Sequence, residues 1–218
     1  MYFIILITVI KLFLISELYS KVKINKLVKL NDPWSISFID YNSILVTEKK
    51  GKIILYKIQE KILKNIPHNL SIHANGQGGL LDIVYKNNYI WVSYSEKLKN
   101  SFSRTSIAKS KFNKEKLIFY NIFESHPPIK SNYHFGSRIL LKDGYLYASI
   151  GERGKGMIAQ DGSKHPGSII RIFSDGKIPL DNPRFNNKNN WLPEIYQIGV
   201  RNPQGLELSP MDNDIYIT

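Results

Sequence analysis

Short apolar runs separated by polar turns recur along most of the chain. Trp34–Phe38, a polar turn at 40–43 and Ile44–Glu48 together predict a β-hairpin. The same strand, turn and strand arrangement returns at 80–94, 137–150 and 206–218. Further strand-like runs lie between these copies, at Lys52–Tyr56 and Ser168–Ile172. The pattern therefore predicts an all-β protein.

The spacing of the copies indicates the architecture. They begin roughly 45 to 70 residues apart, which is the scale of a four-stranded propeller blade with long loops. A β-propeller is the predicted fold, and a β-sandwich is the alternative that long, unequal repeats suit less well. Because the chain stops at Thr218, directly after a strand of the fourth copy, we expect a truncated ring of about three and a half blades.

The first 20 residues have a different character from the rest. Phe3–Ile10 is continuously apolar, and Leu12–Ile15 extends the run beyond Lys11. Such a run is short for a membrane span, so residues 1–20 are predicted to be a secretory signal peptide, with a membrane anchor as the alternative. Residues 21–218 would form the incomplete propeller domain. We expect a periplasmic or secreted protein that meets a membrane only through an uncleaved N-terminal segment.

Composition narrows the function classes. The chain has 218 residues, of which 43% are hydrophobic and 12% aromatic, enough to bury a core. It has no cysteine, which excludes disulfides, zinc–thiolate sites and cysteine nucleophiles. The net charge is +12, but the positive residues are dispersed and no nucleic-acid motif accompanies them, so no nucleic-acid partner is predicted.

A histidine and a carboxylate flank one predicted hairpin. His134 precedes its first strand and Glu152, 18 positions later, follows its second. A hairpin returns the end of its second strand beside the start of its first, so Glu152 can orient His134. An imidazole that titrates near neutrality can then accept a proton. A loop histidine without chemistry, and an acid paired with Arg153, are the structural alternatives.

Two further segments carry candidate binding residues. Arg201 and Asn202 follow the strand-like run 195–200, where a guanidinium can stabilise developing negative charge and an amide can orient a ligand. Gln77 lies among glycines that permit close backbone approach, without the Lys-Ser/Thr of a phosphate-binding loop. A simple turn at Asn202-Pro203 and a glycine-rich hairpin entry at Gln77 are the alternatives.

The ordered motifs resemble the soluble glucose/sorbosone dehydrogenase family, over about Pro33 to Thr218. They are Pro33-Trp34, Gly76–Asp82, His134–Arg138, Ala159–Asp161, Gly167–Ile172, Asp175–Pro179, Asp181–Pro183 and Arg201–Gly205. The resemblance implies a six-bladed propeller that uses pyrroloquinoline quinone (PQQ) and calcium.

The resemblance also implies roles for individual residues. His134 would be the general base that takes the proton of the sugar's anomeric hydroxyl, with Glu152 orienting it. Arg201 would stabilise charge on the quinone, and Gln77 and Asn202 would contact the cofactor. Relatives more often carry Asp at the position of Glu152. The implied reaction oxidises the C1 hydroxyl of an aldose to a lactone, with an external electron acceptor.

Part of the family's pocket is expected beyond residue 218, including the calcium ligands. No metal ligand is therefore assigned within this chain, and tight cofactor binding by this portion alone is not expected. A non-catalytic extracellular propeller that serves as a binding module is the alternative function. A calcium-dependent lactonase is a third hypothesis, which would need several axial carboxylates and asparagines.

Overall fold

A computed structural model describes residues 22–183 and 190–218 of the chain. The predicted signal segment 1–20 lies outside the described residues. Within them, fourteen strands form three four-stranded antiparallel sheets and one two-stranded sheet. No helix in the described ranges is long and apolar enough to cross a membrane.

The strands follow one another along the chain within each sheet. The first sheet contains β1 (Pro33–Phe38), β2 (Ser43–Glu48), β3 (Lys52–Lys57) and β4 (Ile62–Ile66). The second contains β5 (Leu80–Lys86), β6 (Tyr89–Lys97), β7 (Ser103–Lys111) and β8 (Tyr120–Glu124). The third contains β9 (Gly136–Lys142), β10 (Tyr145–Ile150), β11 (Ser168–Phe173) and β12 (Ile195–Ile198). The last pair is β13 (Leu206–Leu208) and β14 (Ile215–Ile217).

The first strands of the four sheets lie side by side. β1 packs against β5, β5 against β9, and β9 against β13. Consecutive meander sheets whose first strands meet in this way are the blades of a propeller. The structure thus confirms the predicted all-β propeller, with three blades and the first hairpin of a fourth, and the sandwich alternative is wrong.

Apolar side chains fill the spaces between blades. One buried cluster joins blade 1 to blade 2, through residues such as Leu45, Ile53, Leu80 and Ile90. A second cluster joins blade 2 to blade 3, through Trp91, Ile107, Ile139 and Ile170 among others. Because each buried aliphatic side chain contributes about 1.5–3 kcal/mol, these interfaces supply much of the cohesion between blades.

A buried carboxylate joins the inner strands. Asp82 on β5 is 5% exposed. Its Oδ1 accepts a hydrogen bond of 2.5 Å from Ser35 Oγ on β1, and its Oδ2 accepts one of 2.8 Å from Ile139 N on β9. Arg138 Nη1 lies 3.4 Å from the same carboxylate, while its Nε donates to Gln204 O at 2.7 Å. One side chain therefore connects three blades directly and the fourth through Arg138.

The turn of the β9–β10 hairpin fixes the register on which the site depends. Asp143 and Gly144 have φ angles of 51° and 82°, as the two central residues of a type I′ turn require. The turn pairs Lys142 with Tyr145, and the ladder ends with Gly136 opposite Ile150. The residues before β9 and after β10 are thereby brought together.

We predict that Asp82→Asn destabilises the protein. The amide replaces one acceptor with a donor that faces groups which already donate, so we expect a loss of about 2–4 kcal/mol in the free energy of unfolding. Urea denaturation followed by circular dichroism measures it. Asp143→Asn, in an exposed turn position that Asn tolerates, is the matched control. Equal midpoints for the two variants would show that Asp82 does not hold the blades.

Candidate active site

Two loops touch at the end of the third blade. Gly151 follows β10 and lies against the backbone of His134, so that a Cβ at position 151 would be 2.1 Å from His134 O. His134 itself adopts a left-handed φ of 51°. Only glycine at position 151 permits this approach, which places Glu152 beside His134.

The two side chains form a hydrogen-bonded pair. His134 Nδ1 bonds to Glu152 Oε1, and Glu152 Oε2 accepts from the backbone N–H of Gly156. Glu152 is 2% exposed, and both of its oxygens are engaged. A carboxylate against Nδ1 fixes the tautomer that carries its proton there, leaving Nε2 as the free acceptor.

The environment favours the ionised form of Glu152. Burial opposes ionisation, but the hydrogen bonds from His134 and from the Gly156 N–H outweigh it, so the pKa of the Glu152 carboxyl lies below its usual value of 4.5. The carboxylate is therefore charged at neutral pH and can stabilise an imidazolium on His134.

Arg153 supports residues 131–135, which precede β9 and are called the histidine loop below, a role that no sequence pattern predicted. It is 2% exposed, and its guanidinium lies 3.7 Å from the centroid of the Phe135 ring. It donates to the carbonyls of Tyr133 at 3.1 Å and Ser103 at 3.0 Å, and also to Ser131 O. Burial lowers the pKa of Arg153 to about 10. Arg153 thus fastens the loop to β7 and is not the partner of Glu152.

Arg201 and Asn202 reach the site from the segment after β12. Arg201 O accepts from Glu152 N at 2.8 Å, whereas its exposed guanidinium has no hydrogen-bond or ion-pair partner within 22–183 and 190–218. Asn202 Oδ1 accepts from Gly136 N at 3.0 Å. Asn202 therefore does more than form a turn, because it joins the fourth blade to the start of β9.

Gln77 reaches the histidine loop from the second blade. Its side-chain Oε1 accepts from His134 N at 2.7 Å, and its own backbone N–H donates to Asn132 O at 2.8 Å. Gly76 has a φ of 58°, and a Cβ there would lie 2.6 Å from Asn132 O. Gly76 thus allows the two loops to meet. The side-chain oxygen of Gln77 accepts a hydrogen bond within the protein.

Two of the predicted residues, Gln77 and Asn202, line one small cavity, whereas His134, Glu152 and Arg201 do not. Its volume is about 240 Å³, and it is lined by Trp34, Gln77, Phe135, Gly136, Asn202 and Gln204. The structure joins His134 to Glu152 through side chains, to Gln77 through its backbone N–H, and to Arg201 and Asn202 through neighbouring backbone. The arrangement combines a proton acceptor, an unpaired cation and amide groups at one end of the blades. Trp34 belonged to a recognised motif but was not predicted to line the site.

No cluster of three or more histidine, aspartate or glutamate side chains suited to a metal ion occurs in the part of the chain that the structure describes. The predicted calcium ion and its ligands stay a prediction.

The fold and the site define a β-propeller that holds a carboxylate-bound histidine at the ends of its inner strands. A sequence model of the glucose/sorbosone dehydrogenase family matches residues 30–218, so the chain belongs to that family. The family membership expected from the motifs is thereby confirmed.

Individual relatives agree with this assignment. Aldose sugar dehydrogenase YliI of Escherichia coli (strain K12) is 31% identical over 199 residues, covering 87% of this chain and 53% of the relative. Quinoprotein glucose dehydrogenase B of Acinetobacter calcoaceticus is 28% identical over 218 residues, covering 84% and 45%. The chain spans about half the length of these curated relatives.

A solved structure supports the fold directly. The crystal structure of the soluble aldose sugar dehydrogenase from Escherichia coli, in its apo form, matches with a TM-score of 0.81 at 31% identity. The match covers 86% of this chain and 57% of that one.

The depressed pKa of Glu152 predicts a pH-dependent contribution to stability. A carboxyl whose folded pKa lies below its usual 4.5 stabilises the fold above about that pH, and the contribution is lost as the pH falls through the lower folded value. Glu152→Gln should therefore be less stable than the parent chain by about 1–3 kcal/mol at pH 7, with the gap closing at acid pH. Urea unfolding at a series of pH values between neutrality and acid measures this gap, and a gap that does not change with pH would contradict the assignment.

Proposed function

We propose that the protein is a PQQ-dependent sugar dehydrogenase that oxidises the C1 hydroxyl of an aldose to a lactone. The observation that carries this proposal is the His134 imidazole held at Nδ1 by the buried, ionised Glu152. General-base removal of a hydroxyl proton uses this arrangement, so the pair favours a dehydrogenase over a binding module.

The proton step follows from this geometry. With Nδ1–H donated to Glu152, Nε2 of His134 accepts the proton of the anomeric hydroxyl as the C1–H bond breaks and the C1=O bond forms. The imidazolium that results lies against an ionised carboxylate, which stabilises its charge. When bound, PQQ would supply the two-electron acceptor for the hydride that leaves C1.

The donor groups of Arg201, Gln77 and Asn202 suit an anionic quinone. The exposed guanidinium of Arg201 has no partner in the described residues. Gln77 and Asn202 already use their side-chain oxygens on the backbone N–H groups of His134 and Gly136, which leaves their NH₂ groups as donors. A set made of donors and one cation favours the carboxylate and carbonyl oxygens of such a cofactor. Arg201, Gln77 and Asn202 would hold it.

The relatives support the same chemistry. One is named an aldose sugar dehydrogenase and another a quinoprotein glucose dehydrogenase. We extend the proposal to calcium as a partner of the cofactor, to export of the protein and to an external electron acceptor. Because the chain covers about half of these relatives, the activity is proposed for the whole protein.

The test is dye reduction by the protein from its complete reading frame, loaded with PQQ and calcium, across a panel of aldoses. His134→Gln should lower kcat by about 100-fold or more, because general bases contribute 10²- to 10⁴-fold. His126→Gln, at an exposed histidine outside the site, is the matched control and should keep the parent rate.

Cofactor loading, followed by PQQ absorbance, separates the outcomes. A folded, loaded His134→Gln variant with nearly the parent rate would remove His134 from the base role. A loaded parent protein that oxidises no aldose would instead favour the binding module.

A further inference from the structure

A second and larger cleft is lined in part by the histidine loop. Its volume is about 610 Å³, and its walls are the β6–β7 hairpin tip at 97–101, the segment 130–132, His73 and Asn75. We call it the lysine cleft. Its size falls within the range of about 300–1,000 Å³ that is usual for small-molecule sites. None of the residues assigned to catalysis or cofactor binding lines it.

The charge of the lysine cleft is uncompensated. Lys97, Lys99 and Lys130 line it, and none of the described residues that line it is an aspartate or a glutamate. None of these three lysines forms an ion pair within the described ranges 22–183 and 190–218, and Lys130 Nζ instead lies 4.9 Å from the centroid of the Phe102 ring. Neighbouring Glu96 is held by Arg104 at 2.6 Å. Three lysine ammonium groups in a concave site concentrate a positive potential and attract anions.

The walls that carry these lysines are held in place. Asn100 and Ser101 have φ angles of 55° and 61°, and Phe102 N donates to Lys99 O at 3.2 Å, which makes the hairpin tip a type I′ turn. On the opposite wall, Asn132 Oδ1 bonds to Nε2 of the buried His73 at 2.8 Å. The cleft is thus part of the folded scaffold, with the lysine side chains projecting from a fixed frame.

We propose that the lysine cleft binds a small organic anion of about sugar size. Its carboxylate or phosphate group would contact the lysine ammonium groups, and its hydroxyls would contact the amides of Asn75 and Asn132. Lysine ammonium groups bind such oxyanions as point charges. The wall at Asn132 is shared with the active site, since Asn132 O holds the backbone N–H of Gln77. The proposal stands independently of the dehydrogenase activity.

The experiment measures binding to the chain without any cofactor. The probes are glucose 6-phosphate, glucuronate, inorganic phosphate and glucose, titrated by calorimetry and by amide chemical shifts of ¹⁵N-labelled protein. We expect an anionic probe to bind with a Kd of about 1 mM or lower, shifting the Asn132 and Gln77 amide signals. Glucose should bind at least about tenfold more weakly, and added salt should weaken the anion.

Two double variants with the same change in charge are compared, one in the lysine cleft and one outside it as the control. Lys99→Gln with Lys130→Gln should weaken anion binding about tenfold or more. Lys114→Gln with Lys116→Gln, in the loop beyond the far end of β7, should leave it unchanged. Circular dichroism confirms that both variants are folded.

The probes also distinguish the source of the anion. Equal affinity for inorganic phosphate and glucose 6-phosphate would overturn the proposal that the ligand is an organic anion of sugar size. Preference for glucose 6-phosphate would support it with a phosphate as the charged group, and preference for glucuronate would support it with a carboxylate. Absence of saturable binding by every anion, or equal weakening in both double variants, would overturn the proposal. Neither result depends on whether the protein oxidises sugars.

Discussion

The position of each blade depends on the carboxylate of Asp82. Propeller blades are separate sheets, and the apolar interfaces between them are non-directional, so those interfaces alone do not define how the blades are set against each other. Asp82 adds direction, because its two oxygens accept hydrogen bonds from Ser35 on one neighbouring blade and from Ile139 on the other. Loss of either donor would leave a buried charge with fewer partners, which is costly. The inner strands therefore hold one register relative to each other.

The site needs that register because three blades build it. Gln77 precedes β5, His134 precedes β9, and Asn202 precedes β13, yet their groups join within hydrogen-bonding distance of one loop. In Gln77 and Asn202 the side-chain oxygen fixes the loop, and the NH₂ group has no hydrogen-bond partner in the part of the chain that the structure describes. In each side-chain amide, the oxygen thus supports the loop and the NH₂ group is available to a ligand. A shift of one blade would break both functions together.

The sequence could predict the hairpins and the pairing of His134 with Glu152, because both follow from local rules. The Asp143-Gly144 turn sets the register, and the register places the two residues side by side. It could not predict the burial of Arg153. That burial depends on the backbone carbonyls of Ser103 and Ser131, which lie 50 and 22 positions from Arg153 and belong to no recognised motif. It depends also on the face of the Phe135 ring. The sequence also could not predict that the carboxylate of Asp82, although it lies in a recognised motif, accepts hydrogen bonds from both β1 and β9.

The histidine loop combines these constraints in a few residues. His134 adopts a left-handed conformation, which costs a non-glycine residue roughly 1–2 kcal/mol. Three contacts hold it there: its N–H donates to Gln77, its carbonyl accepts from Arg153 N at 3.2 Å, and its imidazole bonds to Glu152. Since its backbone groups and Nδ1 are all engaged, Nε2 is the polar atom of His134 that has no hydrogen-bond partner among residues 22–183 and 190–218. These contacts offset the backbone strain at His134 and fix the direction in which Nε2 of its imidazole points.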